Sequence, residues 1–244
     1  MTVRKSWIEK LCAAPRKFAV RWRQRGPGDA CGWAWYQLQW RFREWQLGAR
    51  TSEFAHGLVV ESDGEQLGYE PIDYLCFDQM MDYLQPITPS DGFLDYGCGM
   101  GRGVFLAGMQ PYGIVLGIEL HPQLAQVGNQ MLSRLRAKGK LRAKRVEILE
   151  QDAAQFEVPA EINHVFLFNS FTGNVLQQTL NQIRRSLEKF PRMIKMVYLQ
   201  PREEENPLAQ VHWLRHEADL PTGYWTHIRS VVYSTDVPKS EGSR

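Results

Sequence analysis

Long apolar runs and clustered cysteines are both missing from this 244-residue chain. No window approaches eighteen uninterrupted apolar residues, which excludes a conventional membrane-spanning helix. The opening residues are basic and are interrupted by Glu9 and Lys10, so they lack the apolar core of a secretory signal, and we expect a cytoplasmic protein. The four cysteines, at positions 12, 31, 76 and 98, show no CxxC spacing, which argues against a disulfide scaffold and indicates free thiols.

Charge and tryptophan are distributed unevenly along the chain. Residues 1–50 hold 11 Lys and Arg against 3 Asp and Glu, a net charge of +8, whereas the other residues hold 18 against 24, a net charge of −6. The same fifty residues contain six of the eight tryptophans: Trp7, Trp22, Trp33, Trp35, Trp40 and Trp45. We therefore predict a basic, aromatic-rich N-terminal arm over residues 1–57 and a main domain over residues 58–244, with a cap segment at 58–90.

Periodicity leaves the local structure of the arm open. Apolar residues recur at helical spacing at Trp35, Leu38, Phe42 and Trp45. An overlapping set alternates as a strand would: Tyr36, Leu38, Trp40 and Phe42. A basic, aromatic-rich arm suits an anionic membrane surface or a nucleic acid, whereas the alternative is that its aromatics pack onto the main domain and its arginines face water.

The main domain begins with a predicted hairpin and helix and continues as an α/β alternation. An Asp-Gly pair between apolar runs predicts a hairpin at 58–69, and a helix should follow until Pro86. Apolar strands are then expected at 93–96, 114–119, 145–149, 163–168 and 193–199, with helices at about 102–110, 122–136 and 174–189. This alternation predicts a mostly parallel, doubly wound sheet with helices on both faces. A last strand, 227–233, should lie antiparallel at the sheet edge or beside the fifth strand.

A glycine-rich loop follows the first predicted strand in "FLDYGCGMGRG", residues 93–103. A loop in this position presents backbone N–H groups and a helix N-terminus to a ligand. The first two glycines fit the dinucleotide pattern G-x-G-x-x-G, whose third glycine would be residue 102. Residue 102 is Arg102, which argues against a nicotinamide or flavin dinucleotide. The pattern present is D-x-G-x-G-x-G: Asp95, Gly97, Gly99 and Gly101.

The stretch "FLDYGCGMGRGVFLA" resembles the first motif of the class I S-adenosylmethionine-dependent methyltransferases. The resemblance implies a Rossmann-like fold in which Asp95, Gly97, Gly99 and Gly101 hold the methionine end of S-adenosyl-L-methionine. It also implies that Glu119, 24 residues after Asp95, accepts from both ribose hydroxyls. In the same family Asp152 corresponds to the acid that accepts from the adenine amino group, and Ala153 offers its backbone N–H to the ring. Leu120 and Phe156 would sandwich the adenine, although Phe156 suits the core equally well.

The chain resembles in particular bacterial class I methyltransferases with a "FLDxGCGxGR" motif and an "NPF" triplet after the fourth strand. It resembles more distantly the histone lysine methyltransferases of the Dot1 type. The likeness runs from about residue 42 to about residue 201. The triplet Asn169 to Phe171 resembles this "NPF" and, more loosely, the N/D-P-P-Y/F motif of amino-methyltransferases that act on adenine, cytosine or glutamine, although Ser170 replaces the proline. That likeness implies that Asn169 accepts from a target amine and that Phe171 stacks on it, with Asn169 also near the cofactor. The alternative is that Asn169 caps the following helix.

The resemblance leaves the methyl acceptor open among a small molecule, a glycan or lipid, and a protein side chain. Two other hypotheses remain. One is a cofactor-binding regulatory protein without transfer activity, which the altered "NSF" triplet allows. The other is a nucleic-acid methyltransferase that uses the basic arm. Cys98 and His121 lie near the expected pocket, but no third ligand accompanies them, so we expect no metal.

Overall fold

The computed structural model describes residues 7–48, 71–168, 170–201, 204–224 and 227–235, with side chains from residue 15 onward. The chain divides into two compact units, Met1–Arg50 and Thr51–Arg244. The hairpin predicted at 58–69 and the candidate residue Asn169 lie outside the described residues.

The first unit contains two helices, α1 (Trp7–Arg25) and α2 (Pro27–Leu47). A proline in the first turn of α2 suits the helix start, where the missing N–H has no intrahelical role. Gly48 ends α2 in a left-handed conformation with φ 64°. The aromatic segment at 33–47 is therefore helical, and the strand alternative for it is wrong.

The second unit alternates strands and helices. Its described elements are, in chain order, α3 (Tyr74–Leu84), β1 (Gly92–Tyr96), α4 (Arg102–Gly108), β2 (Ile114–Glu119), α5 (Pro122–Ala137), β3 (Arg145–Glu150), β4 (Ile162–Phe168), α6 (Gly173–Lys189), β5 (Lys195–Pro201), β6 (Leu214–Leu220) and β7 (Ile228–Thr235). Short 3₁₀ turns cover Ala153–Gln155 and Pro207–Gln210.

In the described part of the chain these strands form one seven-stranded sheet with the order β3-β2-β1-β4-β5-β7-β6. Strands β1 to β5 are parallel, and β7 runs antiparallel between β5 and β6. The predicted mostly parallel, doubly wound, Rossmann-like sheet is confirmed. The last predicted strand lies beside the fifth as β7, while β6 was missed.

Strands β1 and β2 and most of β4 and β5 are buried along their length, so consecutive side chains are covered on both faces of the sheet. On one face, Phe93 stacks on Phe166 and meets the ring of Phe77 from α3. On the other, Leu94 belongs to a cluster that includes Leu180 from α6. Two layers of helix therefore sandwich the sheet.

The strand order reverses between β1 and β4. From β1 the chain proceeds outward to β2 and β3, and it then returns to add β4 and β5 on the other side of β1. At such a switch point the loops after the two central strands diverge and leave a crevice at the carboxyl ends of the strands. The segments after β1 and β4 are therefore the expected walls of a ligand site.

A buried pair, Tyr112 and His164, lies at the opposite, amino edge of β4. The Tyr112 hydroxyl and His164 Nδ1 are 2.8 Å apart. Burial, assisted by the charge of Lys195, lowers the pKa of His164 from 6.5 to about 4, although Asp91 opposes the shift. His164 therefore stays neutral in the folded chain at pH values where it would be protonated in the unfolded chain.

We expect His164 to make stability fall as the pH drops from 6.5 to about 4, because only the unfolded chain gains the proton in that window. The contribution is about 3 kcal/mol of unfolding free energy at most. In His164→Asn, whose amide retains a polar partner for Tyr112, urea unfolding across this pH range should lack that loss. Parallel pH profiles for the two proteins would contradict the assignment.

Candidate functional site

The loop after β1 turns sharply on three glycines before α4 begins. Gly97, Gly99 and Gly101 have φ values of 67°, 57° and 85°, which are in the left-handed region. The N–H groups of Gly97 and Cys98 donate to the Ile118 carbonyl at 2.8 and 3.0 Å. The loop is thus fastened to the end of β2 and held across the carboxyl edge of the central strands.

The loop after β1 packs so closely against the segment after β4 that position 97 has no space for a side chain. A Cβ atom on Gly97 would overlap both Cβ and Oγ of Ser170. The Ser170 hydroxyl donates to the Tyr96 carbonyl at 2.8 Å and also lies 3.1 Å from the Phe168 carbonyl. The serine that replaces proline in the "NPF" pattern therefore links the ends of β1 and β4.

Ser170→Ala should destabilise the chain by about 1 kcal/mol, because the buried end of β1 loses a hydrogen-bond donor. Ser133→Ala is the matched control, since the Ser133 hydroxyl also donates to a backbone carbonyl, that of Asn129 at 2.9 Å, on an exposed helix face. Urea unfolding should show a loss for Ser170→Ala clearly larger than that for Ser133→Ala. Equal losses would mean that the link between the strands contributes nothing.

Glu119, the last residue of β2, is the buried carboxylate beside this loop. Its Oε2 accepts from Gly99 N at 2.7 Å, and its Oε1 accepts from His121 N at 2.9 Å. Burial raises the pKa of Glu119, and these backbone hydrogen bonds oppose the rise. A carboxylate has about four acceptor positions, so Glu119 retains capacity for a ligand's donors. Next to it, Leu120 is 43% exposed and offers an apolar surface at the same edge.

Asp95 lies behind the loop and packs against the start of α4. A Cβ atom on Gly103 would collide with the Asp95 carboxylate, so Gly103 is what lets the helix approach it. Burial first, and the Glu119 carboxylate second, raise the pKa of Asp95 well above its usual value. Burial, together with the same two carboxylates, raises the pKa of the Cys98 thiol. Asp95 therefore lies close to Glu119 and to the start of α4, and the contact with the cofactor suggested for it stays a prediction.

Asp152 and Ala153 follow β3 at the same edge of the sheet. Asp152 Oδ1 accepts from Ala154 N at 2.9 Å, and its Oδ2 accepts from the Gln155 side chain at 3.0 Å, so the carboxylate caps the 3₁₀ turn. Ala153 is buried. Phe156 is buried with its ring edge-on to Tyr96, so it is a core residue.

Of the two residues suggested to meet the acceptor, the structure describes Phe171 only. Phe171 is buried, and its ring lies edge-on to Tyr96 with 6.4 Å between centroids. The ring belongs to the hydrophobic cluster under β1 and β4. The roles suggested for Asn169 and Phe171 stay predictions.

Sequence reasoning missed the burial of Arg102 and the part played by Asp73. Arg102 is buried, donates from Nη1 to the Ile72 carbonyl at 2.8 Å, and places its guanidinium 4.8 Å from the Tyr74 ring centroid. Asp73 caps α3 through Oδ1, and its buried Oδ2 has no hydrogen-bond partner among the described residues. An aspartate before a helical pattern indicates a cap, but no sequence signal marks an arginine for burial.

Burial raises the pKa of Asp73 to about 6, against the hydrogen bonds from Cys76 and Leu75 and the charge of Arg102.

Within the described ranges, no cluster of three or more His, Cys, Asp or Glu side chains is arranged to hold a metal ion. The polar groups that converge at the carboxyl edge are therefore those of the loop after β1, Glu119 and the turn that begins at Asp152.

Comparison with known proteins finds similar folds in solved structures. The RNA methyltransferase of Salinibacter ruber, in complex with S-adenosyl-L-homocysteine, is 22% identical, with 72% of this chain and 98% of that chain covered and a TM-score of 0.44. A SAM-dependent methyltransferase from Aquifex aeolicus is 14% identical, with 66% and 89% covered and a TM-score of 0.49. The geranyl diphosphate C-methyltransferase of Streptomyces coelicolor is 14% identical, with 68% and 77% covered and a TM-score of 0.49. No protein-family model and no curated protein sequence matches the chain.

Proposed function

We propose that this chain is an S-adenosyl-L-methionine-dependent methyltransferase that acts on a small molecule, a glycan or lipid, or a protein side chain. The observation that carries the proposal is the buried carboxylate of Glu119, held against the glycine loop by Gly99 N at the end of the neighbouring strand. The proposal includes the division into an arm at 1–57 and a methyltransferase domain at 58–244.

The residues present fit the cofactor in three respects. Gly97, Gly99 and Gly101 hold the loop at 97–101 in left-handed conformations at the carboxyl end of β1, and such a loop can present its backbone N–H groups to a ligand. Glu119 supplies an acceptor for two vicinal hydroxyl groups, as a ribose requires. Exposed Leu120 supplies an apolar surface for a purine, and the turn at Asp152 adds a carboxylate at the same edge of the sheet, after the neighbouring strand.

When bound, S-adenosylmethionine supplies an electrophilic methyl group. The chain's part is to align the acceptor and exclude water, which are the main contributions a protein makes to such a displacement. The loop at 97–101 and the segment after β4 are in contact through Gly97 and Ser170, so an acceptor would approach along the edge that they share. Asn169, which precedes Ser170, is the proposed acceptor contact, whereas the ring of Phe171 lies in the hydrophobic cluster under β1 and β4.

Calorimetric titration of the full chain tests this proposal, with NAD as the matched competitor for a glycine-loop site. We expect S-adenosylmethionine to bind with a stoichiometry of about one and NAD to give no heat, because Arg102 occupies the position of the third dinucleotide glycine. Incubation with methyl-labelled cofactor and pools of small molecules, glycolipids or proteins would then identify the acceptor class. Binding of NAD in preference to S-adenosylmethionine would overturn the proposal.

A further inference from the structure

Helix α2 carries apolar side chains on two opposite sides, and one of these sides is uncovered. The exposed stripe consists of Trp35, Leu38, Phe42 and Trp45, which are 63%, 58%, 55% and 75% exposed. At 100° per residue these four side chains fall within an arc of about 80° and extend over about 15 Å of the helix. Buried Tyr36 and Leu47 lie on the other side. A helix that is apolar on both sides requires a partner for each.

The stripe itself contains no charge, and Arg41 and Arg43 flank it on its two sides. Between residues 34 and 46 the charged positions are Arg41, Arg43 and Glu44, and all three fall outside the arc of the stripe. The described helices at 7–48 hold 8 Lys and Arg against 3 Asp and Glu. The exposed basic residues include Arg16, Lys17, Arg23, Arg25 and Arg41. Helix α2 therefore carries an uncharged apolar stripe flanked by two arginines, in a pair of helices with an excess of five positive charges.

We propose that α1 and α2 form a docking surface for an anionic lipid membrane, with the stripe of Trp35, Leu38, Phe42 and Trp45 at the headgroup and acyl boundary. Tryptophan and phenylalanine suit that boundary, and flanking arginines suit anionic headgroups. Nucleic-acid surfaces combine stacking rings with cationic side chains in one groove, whereas this stripe is uncharged and includes Leu38. No helix in the described ranges has the length and apolarity to span a bilayer, so contact from one side is the geometry that fits.

The charge of the rest of the chain strengthens the choice of surface. Residues 51–244 carry 18 Lys and Arg against 24 Asp and Glu, so an anionic membrane would attract only the N-terminal unit. Binding should therefore depend on both apolar contact and charge. This inference is independent of methyl transfer, because it concerns the helices of the first unit alone.

Sedimentation of the full chain with lipid vesicles tests the docking surface. Vesicles of mixed phosphatidylglycerol and phosphatidylcholine should bind the protein, while vesicles of phosphatidylcholine alone should bind it at least tenfold more weakly. Trp35→Gln with Trp45→Gln should reduce binding roughly tenfold or more, because the buried apolar area is lost. The matched control is Phe190→Gln with Met193→Gln, which changes two exposed apolar residues of the second unit and should bind normally.

A second pair of variants isolates the charge contribution. Arg23→Gln with Arg25→Gln should weaken binding about fivefold for each arginine, and Arg142→Gln with Lys144→Gln should leave it unchanged. Equal binding to neutral and anionic vesicles, or an unchanged tryptophan variant, would overturn the proposal. The proposal would also be overturned if vesicle binding were absent and the protein instead showed salt-dependent retention on RNA, or a concentration-dependent dimer, that the two tryptophan substitutions abolish.

Discussion

Gly97→Ala is expected to destabilise the folded chain by about 2–5 kcal/mol. The backbone at Gly97 has φ 67°, which costs an alanine about 1–2 kcal/mol. In addition, the new methyl group would collide with Ser170, and the overpacking would cost about 1–3 kcal/mol. Urea unfolding at neutral pH measures the difference, and titration with S-adenosylmethionine should show that the displaced loop no longer binds it.

Gly139→Ala separates the two costs. Gly139, just after α5, has φ 63°, and a Cβ atom there would meet nothing within 4 Å. Gly139→Ala should therefore lose only the backbone contribution, about 1–2 kcal/mol of unfolding free energy, and should bind S-adenosylmethionine normally. If the two variants were equally stable, the contact between the loop and Ser170 would not constrain position 97.

Glu119→Gln is expected to weaken S-adenosylmethionine binding by about 1–3 kcal/mol, or about fivefold to 150-fold in Kd. The amide removes an acceptor that serves Gly99 N and His121 N, and it places a donor where the ribose hydroxyls need an acceptor. Calorimetric titration measures the Kd, and thermal unfolding without cofactor measures how much the loop itself is loosened.

Glu161→Gln is the control for the loss of one negative charge. Glu161 is exposed and precedes β4, at the edge of the sheet opposite the glycine loop. Its substitution should change neither the Kd nor the melting temperature. If Glu119→Gln and Glu161→Gln both bound S-adenosylmethionine with the wild-type Kd, the nucleoside would have to bind away from β2.

The positions of the central strands along the chain were accessible from sequence because buried strands leave continuous apolar runs. The runs at β1 and β2 are bounded by glycines and charged residues, so their limits could be predicted within one residue. Strand β6 was missed because "LRHEADL" is half exposed and holds four polar residues in seven. A strand at the edge of a sheet needs buried apolar residues at fewer positions than a central strand does, so its apolar sequence pattern is weaker.

The candidate site also contains residues that the sequence could predict and residues that it could not. The loop glycines and Glu119 could be predicted because a local motif and the strand ends bring them together. The hydroxyl of Ser170 and the guanidinium of Arg102 could not, since their partners are the carbonyls of Tyr96 and Ile72, which are distant in sequence. Such contacts depend on how elements pack, and a single sequence records no distance between them.

A crystal structure of the full chain with S-adenosyl-L-homocysteine tests the proposed cofactor site most directly. We predict both ribose hydroxyls within hydrogen-bond distance of the Glu119 carboxylate, the purine against Leu120 near the turn at Asp152, and the homocysteine end over residues 97–101. A ligand bound elsewhere, with the Glu119 carboxylate still occupied only by Gly99 N and His121 N, would contradict it.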